Sequence, residues 1–565
     1  IDEVTKVLNE DFDSLVEYHK LKVNFVSEEH KVISELLDRD YQSKDEVIEC
    51  FKNSVALAWI DHIEIKYPSL RSVSSFKLDH LRQELQQAIK DKMSASQEIL
   101  LLKSRERTYN DLEYNRLNNL VTYKDLYHQV TKKRKVWPIR RVISQFHEEV
   151  FSLLPCWLAS PESSSAIFPM EEVFDLVIFD EASQCFAERG IPAMYRGKQV
   201  VIAGDDMQLQ PNDLYRVRWE DEDSESTPEL EVDSLLSLAK QYLKEVSLRG
   251  HYRSRSLELI EFSNLNFYKG KLKLLPDYNV IRENKPAIHY LKTDGTWVRN
   301  TNEKEANIVV ELIDKLHKKS PEKSVGVVTF NVNQQSLILD LIDQKLDVNE
   351  IGVPTSFFVK NIENVQGDER DIIIFSTAYA PDEKGRIQLK FGSLNQVGGE
   401  NRLNVAVTRA REEIYMITSL LPYQLHTEKT TNAGPKLLKA YLEYAKAVSD
   451  GEWKPESQAD YSHNQNWYLR NKLSYTTNDV TIEKSLPFAD LTVRSNDHLS
   501  GLILTDDELF FDTLSSKEAH SYMQSHFNQK NWPFIQFFSR EYWINRDQAQ
   551  EKLQKFVHRI VEVSD

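Results

Sequence analysis

The sequence predicts an α/β protein with parallel sheets, preceded by a long helical segment and followed by a smaller α/β unit. Residues 1–67 and 69–137 contain neither glycine nor proline, and apolar side chains recur there at helical spacing. From about residue 150, short apolar runs that end in acidic or small polar residues alternate with helical patterns. Such alternation is typical of parallel strands connected by helices.

The first 145 residues are therefore interpreted as two or more long helices that fold back on one another, with no chemistry of their own. Three groups of apolar residues carry the helical spacing: Val4, Val7, Leu8, Phe12 and Leu15; Leu78, Leu81, Leu85 and Ala88; and Leu112, Leu117 and Leu120.

Four apolar runs are predicted strands, and the changes of pattern around them predict domain boundaries. The segment 219–231 is acidic and is predicted to be an exposed loop, whereas 433–449 is predicted to be a helix. The predicted strands are 173–179, 199–203, 324–330 and 371–377. The predicted domains are 1–145, 146–232, 233–432, a helix and linker at 433–466, and a last unit at 467–565.

Composition limits the class of protein. The 565 residues include 71 basic and 88 acidic side chains, a formal net charge of −17, so a nucleic-acid surface would have to be local. No apolar run approaches the roughly 18 residues of a membrane span, and we expect no membrane partner. Cys50, Cys156 and Cys185 lack paired spacing, which excludes a disulfide scaffold and a CxxC zinc site and favours a cytoplasmic location.

Two acidic residues, Asp180 and Glu181, directly follow the first predicted strand. Parallel strands bring their last residues to the carboxyl edge of the sheet, where open α/β folds bind ligands. Asp180 can hold Mg²⁺ through water there, and Glu181 can orient or deprotonate an attacking water. Taken alone, the pair fits a solvated strand end as well.

The second strand leads into a segment that runs from Gly204 to Pro211. Glycine at this position allows close backbone approach, and the Gln208 amide can respond to a terminal phosphate. Later segments carry Arg253 and Arg409, whose planar, permanently charged guanidinium groups suit the charge that develops in phosphoryl transfer. The alternatives are an ordinary turn after a buried strand and surface salt bridges.

Residues 132–141 carry six basic side chains around Trp137. Lys133 and Arg134 can lie against a phosphate backbone while Trp137 stacks on a base. The alternative is a solvated helix end.

Five segments in order resemble motifs II to VI of superfamily 1 helicases. Their wording is most similar to the superfamily 1B group, which contains the nonsense-mediated-decay helicase and many bacterial DNA helicases. The segments are Asp180-Glu181-Ala182-Ser183-Gln184, Gly204-Asp205-Asp206-Met207-Gln208-Leu209-Gln210-Pro211, His251-Tyr252-Arg253-Ser254, Val365-Gln366-Gly367-Asp368-Glu369-Arg370-Asp371 and Asn404-Val405-Ala406-Val407-Thr408-Arg409-Ala410-Arg411.

The resemblance implies two RecA-like P-loop NTPase lobes with ATP and Mg²⁺ between them and a single strand across their tops. It implies that Asp180 and Glu181 bind Mg²⁺ and activate the attacking water. It also implies that Gln208, Arg253 and Arg409 contact the γ-phosphate. It implies that Glu369 contacts the ribose. Further nucleotide contacts are implied for Gly204, Asp205, Gly367 and Arg411, and nucleic-acid contacts for Ser160, Thr329, Gln334 and Thr408. The helical 1–145 region resembles an insertion in the first lobe.

Motif I, G-x-x-x-x-G-K-[ST], is absent from the sequence. The first glycine is Gly190, and neither Gly197-Lys198 nor Gly270-Lys271 has a glycine five places earlier. Without that backbone cradle the phosphates lose most of their ligands. We expect the chain to be a fragment that hydrolyses ATP negligibly by itself, with a phosphate-binding loop upstream in the native polypeptide.

Residues 467–565 resemble the very-short-patch-repair endonuclease-like domain, a restriction-endonuclease-like α/β fold found at the ends of many bacterial helicases. Asp490 matches the first metal-binding residue of that family. Leu504 stands where the family has a second acidic residue, with Asp506 and Asp507 beyond it. We expect a degenerate domain that binds DNA or packs on the lobes; a shifted metal site at Asp490 and Asp506 is the alternative.

The leading hypothesis is the C-terminal part of an ATP-dependent helicase or translocase that moves 5′→3′ on single-stranded or partly duplex DNA, with RNA left open. One alternative is a catalytically silent nucleic-acid-binding or assembly platform. A second is a helicase-fused, metal-dependent nuclease.

Overall fold

The computed structural model describes residues 2–38, 43–71, 75–110, 123–211, 234–282, 285–345, 357–387, 391–428, 430–454, 469–477, 479–495 and 498–562. Contacts between residues divide the chain into two units, Ile1–Leu85 and Gln86–Asp565. Within the described ranges, no helix combines the length and the apolar character that crossing a membrane requires.

The first unit is helical. The Ser43 hydroxyl accepts a hydrogen bond from the Glu46 amide at 3.3 Å and caps the start of a long helix. The expected long helices are present as α1, α3 and α5. Leu112, Leu117 and Leu120, which carried part of the predicted helical spacing, lie outside the described residues. The N-terminal helices are α1 (Asp2–Asn24), α2 (Ser27–Leu37), α3 (Lys44–Lys66), α4 (Pro68–Arg71) and α5 (Ser75–Asn110).

A two-stranded parallel sheet forms the first α/β layer of the second unit. Strand β1 (Phe174–Phe179) pairs with β2 (Gly197–Ile202), so that both carboxyl ends lie at one edge. Both strands were predicted to within two residues. Phe179, Ala182 and Leu235 are buried together beside this sheet. The helices around it are α6 (Lys124–Val130), α7 (Ile139–Gln145), α8 (His147–Leu153), α9 (Pro161–Ile167), α10 (Ala187–Met194) and α11 (Leu235–Tyr242).

The larger sheet has five parallel strands in the order β5-β9-β8-β6-β7. All residues of β6 are buried, as expected for a central strand with helices on both faces. The predicted strands 324–330 and 371–377 correspond to β6 and β8. The five strands are β5 (Ile288–Lys292), β6 (Val325–Thr329), β7 (Phe358–Asn361), β8 (Arg370–Ser376) and β9 (Ala410–Thr418). A separate parallel pair, β3 (Gly250–His251) and β4 (Lys273–Leu274), precedes them.

Helices cover the larger sheet on both sides. The predicted helix at 433–449 occurs as Ala433–Ser449. The predicted loop at 219–231 and the predicted boundaries at 232 and 466 lie outside the described residues. The helices of this region are α12 (Glu261–Asn266), α13 (Tyr278–Arg282), α14 (Glu303–Lys319), α15 (Val332–Lys345), α16 (Gly399–Val407) and α17 (Ala433–Ser449).

The C-terminal region is a mixed five-stranded sheet packed against helices. Its strands lie in sequence order, antiparallel except for a parallel pair at the end. The strands are β10 (Tyr475–Thr476), β11 (Val480–Glu483), β12 (Leu491–Ser495), β13 (His498–Leu504) and β14 (Phe534–Gln536). The helices are α18 (Leu469–Leu473), α19 (Glu508–Phe511), α20 (Met523–Gln529), α21 (Ser539–Ile544) and α22 (Arg546–Glu562).

The C-terminal region shares a hydrophobic core with the segment that precedes the larger sheet. Leu504 and Trp532 from the C-terminal sheet are buried with Leu274 and Tyr278. Leu504, at the position where a metal-binding acid was sought, is 3% exposed and therefore contributes to packing. We call the region around β1 and β2 the first lobe, and the region from β3 to α17, which carries Arg253 and Arg409, the second lobe. The C-terminal region is in this way joined directly to the second lobe.

Candidate active site

The acidic pair lies at the carboxyl end of β1. Both Asp180 and Glu181 are exposed, and Asp180 Oδ1 accepts a hydrogen bond from the Glu181 amide at 3.0 Å. Glu181 has a left-handed backbone with φ of 53°, which is uncommon for a residue with a side chain. Strained residues of this kind cluster at functional sites. The two carboxylates are thus held at the sheet edge, with oxygens of the type that Mg²⁺ prefers.

Gly204, at the end of β2, lies against the acidic turn. A Cβ atom there would be 3.1 Å from the amides of Ala182 and Ser183 and 3.2 Å from Leu236 Cδ2. These distances are too short for comfortable packing, so glycine permits the two loops to approach. The structure gives Gly204 this packing role directly; its predicted nucleotide contact stays a prediction.

Asp205 organises the loop that carries Gln208. Its Oδ1 accepts from the Met207 amide at 2.9 Å, and its Oδ2 accepts from Gln208 Nε2 at 3.0 Å. The Tyr268 hydroxyl, which belongs to the other lobe, donates to Asp205 Oδ2 at 2.7 Å. Burial, followed by the charge of Asp205, raises the pKa of Tyr268, so its hydroxyl keeps the proton that it donates. Asp205 therefore connects the Gln208 loop to the second lobe.

Two asparagines on α16 hold the same loop; neither was predicted as a site residue, although Asn404 begins the fifth motif segment. Asn401 Nδ2 donates to the carbonyls of Asp206 at 3.0 Å and Gln208 at 2.8 Å. Asn404 Nδ2 donates to the Met207 carbonyl at 2.7 Å and contacts the Tyr268 hydroxyl at 3.1 Å. The sequence signal was available, because two asparagines three residues apart share one face of a helix that is otherwise largely apolar.

Glu369 lies between two arginines. Arg253 Nε donates to Glu369 Oε2 at 2.7 Å, and Arg411 Nη2 donates to Oε1. The hydrogen bonds from Arg411 and Arg253 hold the pKa of Glu369 below its usual range, so the carboxyl is ionised at neutral pH. The ribose contact predicted for Glu369 is not tested by this geometry. What the structure adds is that Glu369 orients the predicted catalytic arginine.

Arg409 lies just after α16 and is buried. It is 3% exposed, and its Nε donates to the Val405 carbonyl at 2.7 Å. Burial, then repulsion from Arg253, lowers its pKa to about 10, which leaves it charged at neutral pH. Its charge also interacts with Glu181, Glu369 and Tyr268.

A direct hydrogen bond also joins the two lobes. Gln366 Nε2 donates to Glu181 Oε2 at 3.1 Å, so the predicted water-activating carboxylate contacts the second lobe. Next to Gln366, Gly367 has a φ of +84°, a conformation that glycine adopts without strain. Hydrogen bonds between the two lobes thus connect the acidic pair and the Gln208 loop to the region that carries Arg253.

Three predicted nucleic-acid residues are buried. Gln334 is fully buried, and its amide exchanges hydrogen bonds with the Asn302 backbone at 2.7 and 3.0 Å. The hydroxyl of Thr329 donates to the Asn331 carbonyl at 2.9 Å, and that of Thr408 donates to the Asn404 carbonyl at 2.9 Å. These side chains hold strand and helix ends in place, and their contacts with nucleic acid stay predictions.

The other predicted nucleic-acid residues are exposed. The Ser160 hydroxyl accepts from the Ser163 amide at 3.2 Å and caps α9, and Lys133 and Arg134 are exposed.

The Trp137 ring is half-buried. The Arg141 guanidinium lies 4.1 Å from its centroid, and the Phe146 ring is stacked at 6.4 Å. Trp137 therefore packs against the basic segment, and its stacking on a base stays a prediction.

Asp490 is buried in the C-terminal region. Its Oδ2 accepts from the Thr505 amide at 2.8 Å, and burial raises its pKa to about 7. Asp506 accepts from the amide and hydroxyl of Ser539. Among the described residues, no group of three or more His, Cys, Asp or Glu side chains could hold a metal ion. The metal role of Asp490 stays a prediction.

Known proteins resemble the chain over most of its length. Two family models described as AAA domains match residues 18–212 and 231–420. An uncharacterized ATP-dependent helicase of Mycoplasma pneumoniae is 35% identical over 337 residues, covering 56% of this chain and 30% of that protein. DNA polymerase alpha-associated DNA helicase A of Saccharomyces cerevisiae is 26% identical over 412 residues, covering 66% of this chain and 54% of that protein.

Among solved structures, the C-terminal domain of a possible DNA helicase from Lactobacillus plantarum is 13% identical. The match covers 30% of the present chain and 86% of the solved chain, with a TM-score of 0.19. The present chain spans about 30% of the length of the first curated relative it matches.

The chain is therefore similar, over the matched residues, to proteins that are named ATP-dependent or DNA helicases. The two AAA-domain matches together include all five segments that resemble superfamily 1 motifs.

Proposed function

We propose that the chain carries motifs II to VI of an ATP-driven motor that moves along single-stranded nucleic acid. The supporting observation is the set of hydrogen bonds that joins the acidic turn to the arginine-bearing segments: Gln366 Nε2 donates to Glu181 Oε2 at 3.1 Å, and Glu369, three residues after Gln366, accepts from Arg253 and Arg411. Phosphoryl transfer depends mainly on positioning and on charge stabilisation, and these residues supply carboxylates from the first lobe and guanidinium groups from the second.

Each residue has a chemical role in this proposal. Asp180 would hold Mg²⁺ through water, and Glu181 would orient the attacking water; Mg²⁺ bound there would supply neutralisation of the phosphate charge. Glu181 accepts the proton of the attacking water, and Gln366 orients its Oε2. Arg253 and Arg409 stabilise the charge on the transferred phosphoryl group. Gln208 contacts that group, and its hydrogen bond with Asp205, which also accepts from Tyr268, couples this contact to the second lobe.

The nucleic-acid partner is proposed to be single-stranded or partly duplex DNA, with movement 5′→3′. Ser160, Lys133 and Arg134 are exposed and available to a phosphate backbone. Thr329, Gln334 and Thr408 would act from inside the protein, by fixing the strand ends that meet the nucleic acid. In agreement, a relative in yeast is named a DNA helicase.

The test is ATP hydrolysis by the native full-length polypeptide, with and without single-stranded DNA or RNA. Arg253→Ala and Arg409→Ala are each expected to lower kcat by about 10³-fold, the lower end of the effect of an arginine finger. Arg386→Ala, a change of the same kind at an exposed loop pair with Asp382, is the matched control. Equal activity of the three variants would refute the roles assigned to Arg253 and Arg409.

A silent binding platform is the second candidate, because motif I is absent from the present sequence; a phosphate-binding loop upstream in the native polypeptide would remove this reason. It predicts that the native polypeptide binds single-stranded nucleic acid without hydrolysing ATP. A third candidate, a nuclease, predicts nicking in Mg²⁺ or Mn²⁺ that is lost in Asp490→Ala. Nicking that persists in Asp490→Ala would exclude this site as its source.

A further inference from the structure

Hydrogen bonds from the C-terminal region hold a short segment of the second lobe, residues 276–278. Trp532 Nε1 donates to the Pro276 carbonyl at 2.7 Å, and the Tyr278 amide donates to the Lys530 carbonyl at 3.1 Å. The Tyr278 hydroxyl donates to the Ser500 carbonyl at 3.2 Å. Trp532 is 3% exposed and Tyr278 is 8% exposed, so these bonds lie inside the shared core and fix the segment firmly.

Asp277, in the middle of this segment, joins the C-terminal region to Arg255. Lys530 Nζ lies 2.7 Å from Asp277 Oδ1, and Arg255 Nε lies 3.7 Å from Asp277 Oδ2. The Asp277 amide also donates to the Arg255 carbonyl at 3.2 Å. The side chains of Lys530 and Asp277 are each only 28% exposed, so solvent and salt screen this pair less than a surface pair.

Arg255 fixes the loop that carries Arg253. Its amide donates to the Arg411 carbonyl at 2.8 Å, and its guanidinium pairs with Glu412. Arg253, two residues earlier, donates to Glu369, which also pairs with Arg411. The Arg253 loop is therefore held by β9 on one side and by Asp277 on the other. Lys530 is separated from this loop by a single residue, Asp277.

We propose that the C-terminal region positions Arg253 for phosphoryl transfer, with Lys530 and Asp277 as the positioning residues. The proposal rests on the proposed function, because Arg253 is taken as the guanidinium that reaches the phosphate. Its physical basis is that misplacement of a catalytic group by about 1 Å can cost about 100-fold in rate. Loss of the Lys530 ammonium leaves Asp277 with Arg255 alone and lets the pair shift.

The experiment compares Lys530→Met with wild type in the native full-length polypeptide. The matched control is Lys555→Met in the same region, where the Lys555 side chain pairs with Glu551 but is 75% exposed. Lys530→Met is expected to lower kcat for ATP about fivefold, the lower end of measured couplings between sites, with KM for ATP within about twofold of wild type. Lys530→Arg is expected to keep the activity, since it keeps the charge.

A double-mutant cycle shows whether the effect passes through Arg253. In an Arg253→Ala background, Lys530→Met is expected to cause no further loss of kcat. A further fivefold loss in that background would overturn the proposal, as would equal activity of Lys530→Met and Lys555→Met. If Lys530→Met fails to fold, Asp277→Asn takes its place in the cycle, with the same expected and contrary results. A wild-type protein without ATP turnover would instead contradict the proposed function.

Discussion

Replacement of Tyr268 by phenylalanine tests the contact between the two lobes. The change removes one hydroxyl, which donates to Asp205 Oδ2 at 2.7 Å and contacts Asn404 Nδ2 at 3.1 Å, and keeps the ring. A hydrogen bond to a charged group contributes about 1.5–3 kcal/mol and a neutral one about 1 kcal/mol. Asp205 keeps two donors, the Met207 amide and Gln208 Nε2, which offset part of the loss. We expect a net local cost of about 2 kcal/mol.

Hydrogen exchange at the Gln208 loop measures this cost. The Met207 amide donates to Asp205 Oδ1, and the Gln208 amide donates to the Asp205 carbonyl at 3.2 Å. A cost of about 2 kcal/mol corresponds to about 30-fold faster exchange of these two amides. Tyr423→Phe, at a tyrosine that is 68% exposed, is the control and is expected to leave exchange unchanged. Protection in Tyr268→Phe within about threefold of wild type would show that Tyr268 does not hold the loop.

Three further predictions concern charge. Arginine pairing holds the pKa of Glu369 low, so its contribution to stability exists above the ordinary glutamate range and is lost as pH falls through the lowered pKa. Glu369→Gln should therefore lower Tm at pH 7 and have a diminishing effect below about pH 4; an effect that does not change with pH contradicts the pairing. Burial raises the pKa of Asp490 to about 7, so stability falls as pH rises between the unfolded pKa and that value. Asp490→Asn should then raise Tm at pH 8 more than at pH 5, and an equal change at both pH values contradicts the buried state. Replacement of Lys133 and Arg134 by glutamine should weaken binding to single-stranded DNA and reduce the slope of log K against log salt by about 0.7 for each lost contact. An unchanged slope would assign both side chains to solvent.

The central strands were predictable because a buried strand has a locally apolar composition. The runs that became β6 and β8 are apolar almost throughout, as strands covered on both faces must be, and the polar residue that ends each run marks the sheet edge. The run that became β1 is similarly apolar, although only Phe179 of that strand is fully buried. The positions of Asp180 and Glu181 followed from that pattern alone. The helix Ala433–Ser449 was predictable for a similar reason, since its apolar residues recur at helical spacing.

The partners of the site residues were not predictable, because they lie far apart in the sequence. Nothing local shows that Glu369 pairs with Arg253, 116 positions away, or that Tyr268 donates to Asp205, 63 positions away. The buried state of Gln334 likewise depends on Asn302 and Ser376, 32 and 42 positions away, which only folding brings near.

Local patterns in the sequence predicted the strands β1, β2, β6 and β8, the order of the five motif segments and the side chains at the strand ends, because periodicity and residue chemistry are local properties. Which charges meet is decided only by the tertiary structure. The fold brings Gln366 to Glu181, buries Leu504 in a core shared between regions, and connects Lys530 to the Arg253 loop through Asp277. Electrostatic interactions depend on distance and on burial, and both are set only when the chain has folded.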